Sequence, residues 1–94
     1  MTARATVGRI LHYVLTADDV GEAPQRIGSS RPAIVVSVFE PSVQGLHGLE
    51  HLEPLYSVQV FMDAPPPASL LWKSNLRITD APTSGQLHWP PMTR

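Results

Sequence analysis

The residues of this chain best suited to chemistry are its histidines and the acids and aromatics near them. His47-Gly48-Leu49-Glu50-His51 spells H-x-x-E-H, which on a continuous helix sets two imidazoles on one face, as in a metal-dependent hydrolase. Gly48 lies between the two ligands, Pro54 follows at once, and a third ligand would have to come from elsewhere. The segment therefore reads as a loop, with a helical turn or two at most and two solvated histidines. No metal, no cofactor and no enzymatic activity are expected. The acids Glu40, Asp63 and Asp80 each close an apolar run. In a simple meander Glu40 and Asp80 gather on one rim, and Asp63 finishes near Arg31. Turn chemistry and a surface Arg31–Asp63 ion pair account for them better than an acid/base pair. Neither a G-x-S-x-G nucleophile turn nor a glycine-rich phosphate loop is present.

The other two histidines stand beside aromatics, as His12-Tyr13 and His88-Trp89. With Trp72 they offer flat surfaces on which a purine can stack, and Arg9, Arg31 and Arg77 can meet phosphates bidentately. These eight residues form the candidate ligand-binding set. Neighbours on a strand point to opposite faces, so a core Trp89 leaves His88 exposed, and an inward His88 makes Trp89 a surface or interface platform. Trp72 on its own reads as ordinary core.

Five β-branched or alternating runs must position these groups: Gly8–Leu15, Pro32–Glu40, Leu55–Asp63, Leu70–Thr79 and Gln86–Trp89. In the first, Val7, Arg9, Leu11, Tyr13 and Leu15 oppose Gly8, Ile10, His12 and Val14. In the second, Ile34, Val36 and Val38 oppose Ala33, Val35, Ser37 and Phe39. The third alternates Tyr56, Val58, Val60 and Met62 with Ser57 and Gln59. In the fourth, unbroken alternation turns Leu70, Trp72, Ser74, Leu76 and Ile78 inward and Lys73, Asn75 and Arg77 outward. The double proline Pro90-Pro91 ends pairing after the last run. Thr16–Arg31 and Pro41–Glu53 are long loops, Pro65-Pro66-Pro67 is a polyproline spacer, and Met1–Thr6 is a flexible leader. The expected fold is one all-β domain over residues 1–94. Its form is a small five-stranded SH3-like or OB-like barrel, or a rolled antiparallel sheet.

Composition narrows the function. A net charge of −1, with the basic residues scattered, argues against duplex nucleic acid. No apolar run approaches the ~20 residues of a membrane span. No cysteine is present, which excludes thiolate chemistry and fits the inside of a cell. Charged residues are 16% of the chain against 43% hydrophobic, so a lone copy would show water little charge. Either the loops are polar without charge or part of the surface is buried against another copy, and a homo-oligomer is the expectation preferred here.

The order of motifs resembles a group of small phage-encoded β proteins. Their pattern is T-V-G-R-I-hydrophobic-H-Y, R-P-A-I-V-V, an N-L/V-Q-V-F-x-D strand, a W-x-x-S-hydrophobic strand and a G-T-W-H-W-P ending. This chain shows Thr6–Tyr13 (TVGRILHY), Arg31–Val36 (RPAIVV), Val58–Asp63 (VQVFMD), Trp72–Leu76 (WKSNL) and Gly85–Pro90 (GQLHWP). Leu87 stands where that ending has its first Trp, and Asn75 where an apolar residue is usual. The resemblance implies a viral or prophage origin and brings no activity with it. Two functions fit this setting. The first is a non-catalytic anti-defence protein in the host cytoplasm that sequesters a nucleotide-derived immune signal in pockets between subunits. The alternative is a small β module of the phage particle or its assembly, associated with head or tail.

Overall fold

A computed structural model describes residues 4–20, 26–40, 53–63 and 69–91. Its elements are β1 (Ile10–Val14), α1 (Ala17–Val20), β2 (Ser30–Phe39), β3 (Leu55–Phe61), β4 (Leu70–Leu76) and β5 (Leu87–His88). The strands form one antiparallel sheet in the order β4-β3-β2-β1-β5, so the expected all-β class is correct. The chain meanders from β1 to β4 and returns to place its last strand against the first. Just after β4, Ile78 makes a single parallel bridge to Leu87 of β5. This bridge is not a ladder, and the sheet is not closed.

One face of the sheet carries the core: Leu11, Tyr13, Ala33, Val35, Tyr56, Val58, Val60, Leu76, Ile78 and Leu87 are all buried, with Leu15 and Ala5 beside them. The alternation expected in the first and third runs is what buries Leu11 and Tyr13, and Tyr56, Val58 and Val60. Strands β2 and β4 depart from it. In β2 the pairing steps from Val35↔Val58 to Ser37↔Ser57, so Val36 is an extra residue and Val38 regains the core side. In β4 the pairing steps from Val58↔Lys73 to Tyr56↔Leu76. The extra residue lies at Ser74–Asn75, where Asn75 adopts φ 59. Such bulges shift every later side chain to the opposite face.

The β4 bulge corrects the sequence expectation. Leu76 and Ile78 do turn inward, but Leu70 and Trp72 are about half exposed, and Lys73 shares the face of Val58. Trp72 is therefore not core. Within the stretch expected to be a leader, Ala5 is buried and its N–H donates to the Tyr56 hydroxyl at 3.1 Å. Arg4 pairs with Glu40 across the surface. The His47–His51 motif and the Pro65–Pro67 spacer lie outside the described residues. Among the described residues no helix is long and apolar enough to cross a membrane.

Candidate functional site

Pairing of β1 with β5 brings the two ends of the chain together, in the register His12↔His88 and Tyr13↔Leu87. Beyond that ladder the backbone opens into a groove of about 670 Å³, lined by Gly8, Arg9, Ile10, Trp89 and Pro90. The size falls within the usual range of small-molecule sites, about 300–1,000 Å³. Arg9 lies over the Trp89 ring, with its guanidinium carbon 5.1 Å from the ring centroid. The indole face attracts the cation, which keeps its planar donor fork beside an aromatic plane. Trp89 is half-buried and its body packs against the core, so the platform is anchored from behind.

His12 and His88 meet next to this groove, edge to face, with ring centroids 5.4 Å apart. Of the two arrangements open to this pair, the structure has His88 buried and Trp89 half-buried at the groove wall. Both ring nitrogens of His88 are engaged. Nδ1 lies 3.0 Å from the Trp89 carbonyl, and Nε2 lies 3.0 Å from the Ser30 hydroxyl. A carbonyl only accepts, so Nδ1 must carry hydrogen and donate to it. In the neutral ring Nε2 then accepts from Ser30. The proton affinity of His12 lies below the ordinary value, first because burial disfavours its charged form and then because of the charge on His88.

The remaining candidates lie elsewhere. Tyr13 is a core residue whose hydroxyl donates to Asp19 Oδ2 at 2.6 Å. Burial, followed by that bond, raises the phenol's proton affinity well above its usual range. Arg31 pairs with Tyr13 across β1 and β2, and its Nη1 donates to the Ser30 carbonyl at 3.1 Å. Its expected partner Asp63 instead meets Arg26, which bonds the Asp63 carbonyl at 2.8 Å. Arg77 is exposed and joined through its backbone to the Gln86 side chain and to Leu87. Trp72 lies at the far edge of the sheet, on β4. Only Arg9 and Trp89 of the eight line the groove, with His12 and His88 adjoining.

Sequence reasoning missed a second cluster. Asp19 Oδ2 accepts from the Tyr13 hydroxyl, the Thr16 N–H and the Thr16 hydroxyl, and Oδ1 meets the Lys73 ammonium at 2.7 Å. The Asp19 side chain is 1% exposed, and Lys73 also lies over the Tyr13 ring at 5.9 Å. Burial alone would raise the Asp19 proton affinity. The bonds from Lys73, Tyr13 and Thr16 outweigh it and hold the carboxyl below its usual value. The available signal was the spacing Thr16-x-x-Asp19, a helix-capping pattern, here starting α1. This cluster ties α1 to β1 and β4, and its acid is fully committed to structural donors.

Among the described residues no group of three or more acids or histidines is arranged to hold a metal. Comparison with protein-family models, with curated proteins and with solved structures gives no match.

Proposed function

We propose that this protein is a non-catalytic binding module for a nucleotide-type anion, held at the Arg9–Trp89 groove. The observation that carries the reading is the guanidinium stacked on an indole at the wall of an open groove. Arg9 supplies a bidentate donor for a phosphate, and the half-buried indole beneath it supplies an aromatic wall for a base. Ile10 and Pro90 add apolar walls, and Gly8 adds none of its own bulk. In the phage setting that the sequence pattern implies, such a module acts by sequestering a nucleotide-derived signal, in an assembly whose neighbouring copies roof the open side.

A thermal-shift titration with ADP-ribose-like and cyclic nucleotides tests the reading. A ligand at about 100 times its Kd adds about 2.7 kcal/mol, a rise of roughly 10–20 °C in Tm for a domain of this size. Arg9→Ala should remove most of that response while leaving the unliganded Tm within a few degrees. An absent response in the wild-type protein, or one that survives Arg9→Ala, rules the site out.

A further inference from the structure

On the sheet's second face, opposite the core, the described residues of β2, β3 and β4 include no ionisable side chain, and His12 and His88 lie beyond them at the β1–β5 end. Ile10, Ile34, Gln59 and Trp72 stand in one cross-strand row spanning β1, β2, β3 and β4. Phe61 and Leu70 form a neighbouring pair on the same face. Ile10, Trp72 and Leu70 keep slightly more than half of their surface exposed, and Phe61 keeps 44%. Taking about 150–250 Å² for a large side chain, these four residues present on the order of 400 Å² of apolar surface. Patches of that size on soluble proteins mark interaction sites.

We propose that this face is the contact surface between two copies of the chain, packed sheet on sheet about a two-fold axis. Charge selects the occupant. None of the six residues is ionisable, and the nearest cation on β4, Lys73, is turned to the other face and held by Asp19. A two-fold copy therefore meets no like charge, and the same patch is complementary to itself. A nucleic acid or a charged peptide would find no counter-charge there. Size agrees as well. A stable interface covers about 800 Å² per partner with an apolar centre and a polar rim. The patch supplies that centre, with Gln59 inside it and half-buried Ser57 two positions along β3. The edge position of β4 adds a strand side that, among the described residues, has no partner strand. Ile10 also lines the groove, so the second copy comes up to the groove's margin. The surface stands independently of what the groove holds.

Sedimentation equilibrium of the full chain tests it. The wild-type protein should show a concentration-dependent mass reaching at least twice that of the monomer. Trp72→Arg and Phe61→Lys, each a change at an exposed position, should give monomers with unchanged far-UV circular dichroism. Should either variant misfold, Trp89→Phe leaves Trp72 as the sole indole. Its acrylamide quenching should then increase at least twofold on dilution through the dissociation range. A wild-type protein that is monomeric at all concentrations overturns the proposal, as does an oligomer whose mass both charge variants leave unchanged, or a Trp72 whose quenching ignores dilution. Failure of the groove is read separately, since Arg9→Ala alters nucleotide response and not mass.

Discussion

Replacing Asp19 with alanine removes the one acceptor shared by three donors and an ammonium. The Tyr13 hydroxyl, 2.6 Å from Asp19, is left buried without its partner, and the Thr16 N–H and hydroxyl lose theirs. Lys73 loses its counter-charge while its side chain is only 28% exposed. Breaking a buried ion pair by deleting one member costs about 3–5 kcal/mol, against a total of about 5–15 kcal/mol for a domain of ordinary stability. At about 4–8 °C per kcal/mol, Tm should fall by roughly 12–40 °C. Asp19→Asn keeps an acceptor for Tyr13 and Thr16 but turns an amide NH2 toward Lys73 in place of Oδ1, so it should be less damaging than alanine by about 1–2 kcal/mol. Urea unfolding followed by circular dichroism measures both variants. The pH dependence is a second reading of the same network. The folded-state proton affinity of Asp19 is lowered, so its contribution is complete above the ordinary carboxylate value of 3.8 and is lost as pH falls below it. Asp19→Asn should flatten that acid limb. The reasoning is refuted if Asp19→Ala unfolds within about 1 kcal/mol of wild type, or if the acid limb is unchanged in Asp19→Asn.

Two further outcomes concern the β1–β5 junction and the β4 bulge. Burial lowers the proton affinity of His12 from 6.5, with the charge on His88 adding to the effect. The unfolded chain therefore takes up this proton first, and the His12 contribution to stability is complete above about pH 6.5 and declines as pH falls through that value. His12→Gln should remove this step in a stability-versus-pH series and leave the more acidic Asp19 step in place. At Asn75, whose φ is 59, a β-branched residue meets left-handed strain, so Asn75→Val should cost about 1–2 kcal/mol in urea unfolding. Asn75→Gly should be neutral or slightly stabilising.

What could be read from the sequence follows from which signals are local. Period-2 alternation set Leu11 and Tyr13 together on one face of the first run and Tyr56, Val58 and Val60 on the core face of the third, because neither β1 nor β3 itself carries an extra residue. The proline pair correctly marked where pairing with β5 stops, after His88. A bulge has no comparable signature. Val36 resembles its neighbours, and only Asn75, tolerant of a left-handed conformation, hinted at the second irregularity. Arg9 and Trp89 were both nominated as binding residues, but their stacking depends on the β1–β5 pairing between opposite ends of the chain. For His88 and Trp89, strand parity leaves two arrangements open, because it decides only which way a side chain points. It does not show that Ser30 and the Trp89 carbonyl satisfy both ring nitrogens and allow burial.

The extra residue in β4 links the buried ion pair to the apolar face. With unbroken alternation from Leu76 backwards, Trp72 would fill the core and Lys73 would sit in water. The bulge reverses both: a cation goes inward, where desolvation opposes it, and an indole goes outward, where water gains nothing from it. The inward half is compensated within one copy, since Asp19 meets the ammonium and Tyr13 and Thr16 satisfy Asp19. Among the described residues the outward half has no such compensation, as Trp72, Leu70 and Phe61 remain about half exposed. Burying that surface against a second copy recovers about 25 cal/mol per Å², on the order of 10 kcal/mol for a patch of about 400 Å², before the cost of association. A register that appears poorly chosen in one copy becomes favourable in two, and on this reading assembly is part of what the β4 bulge encodes.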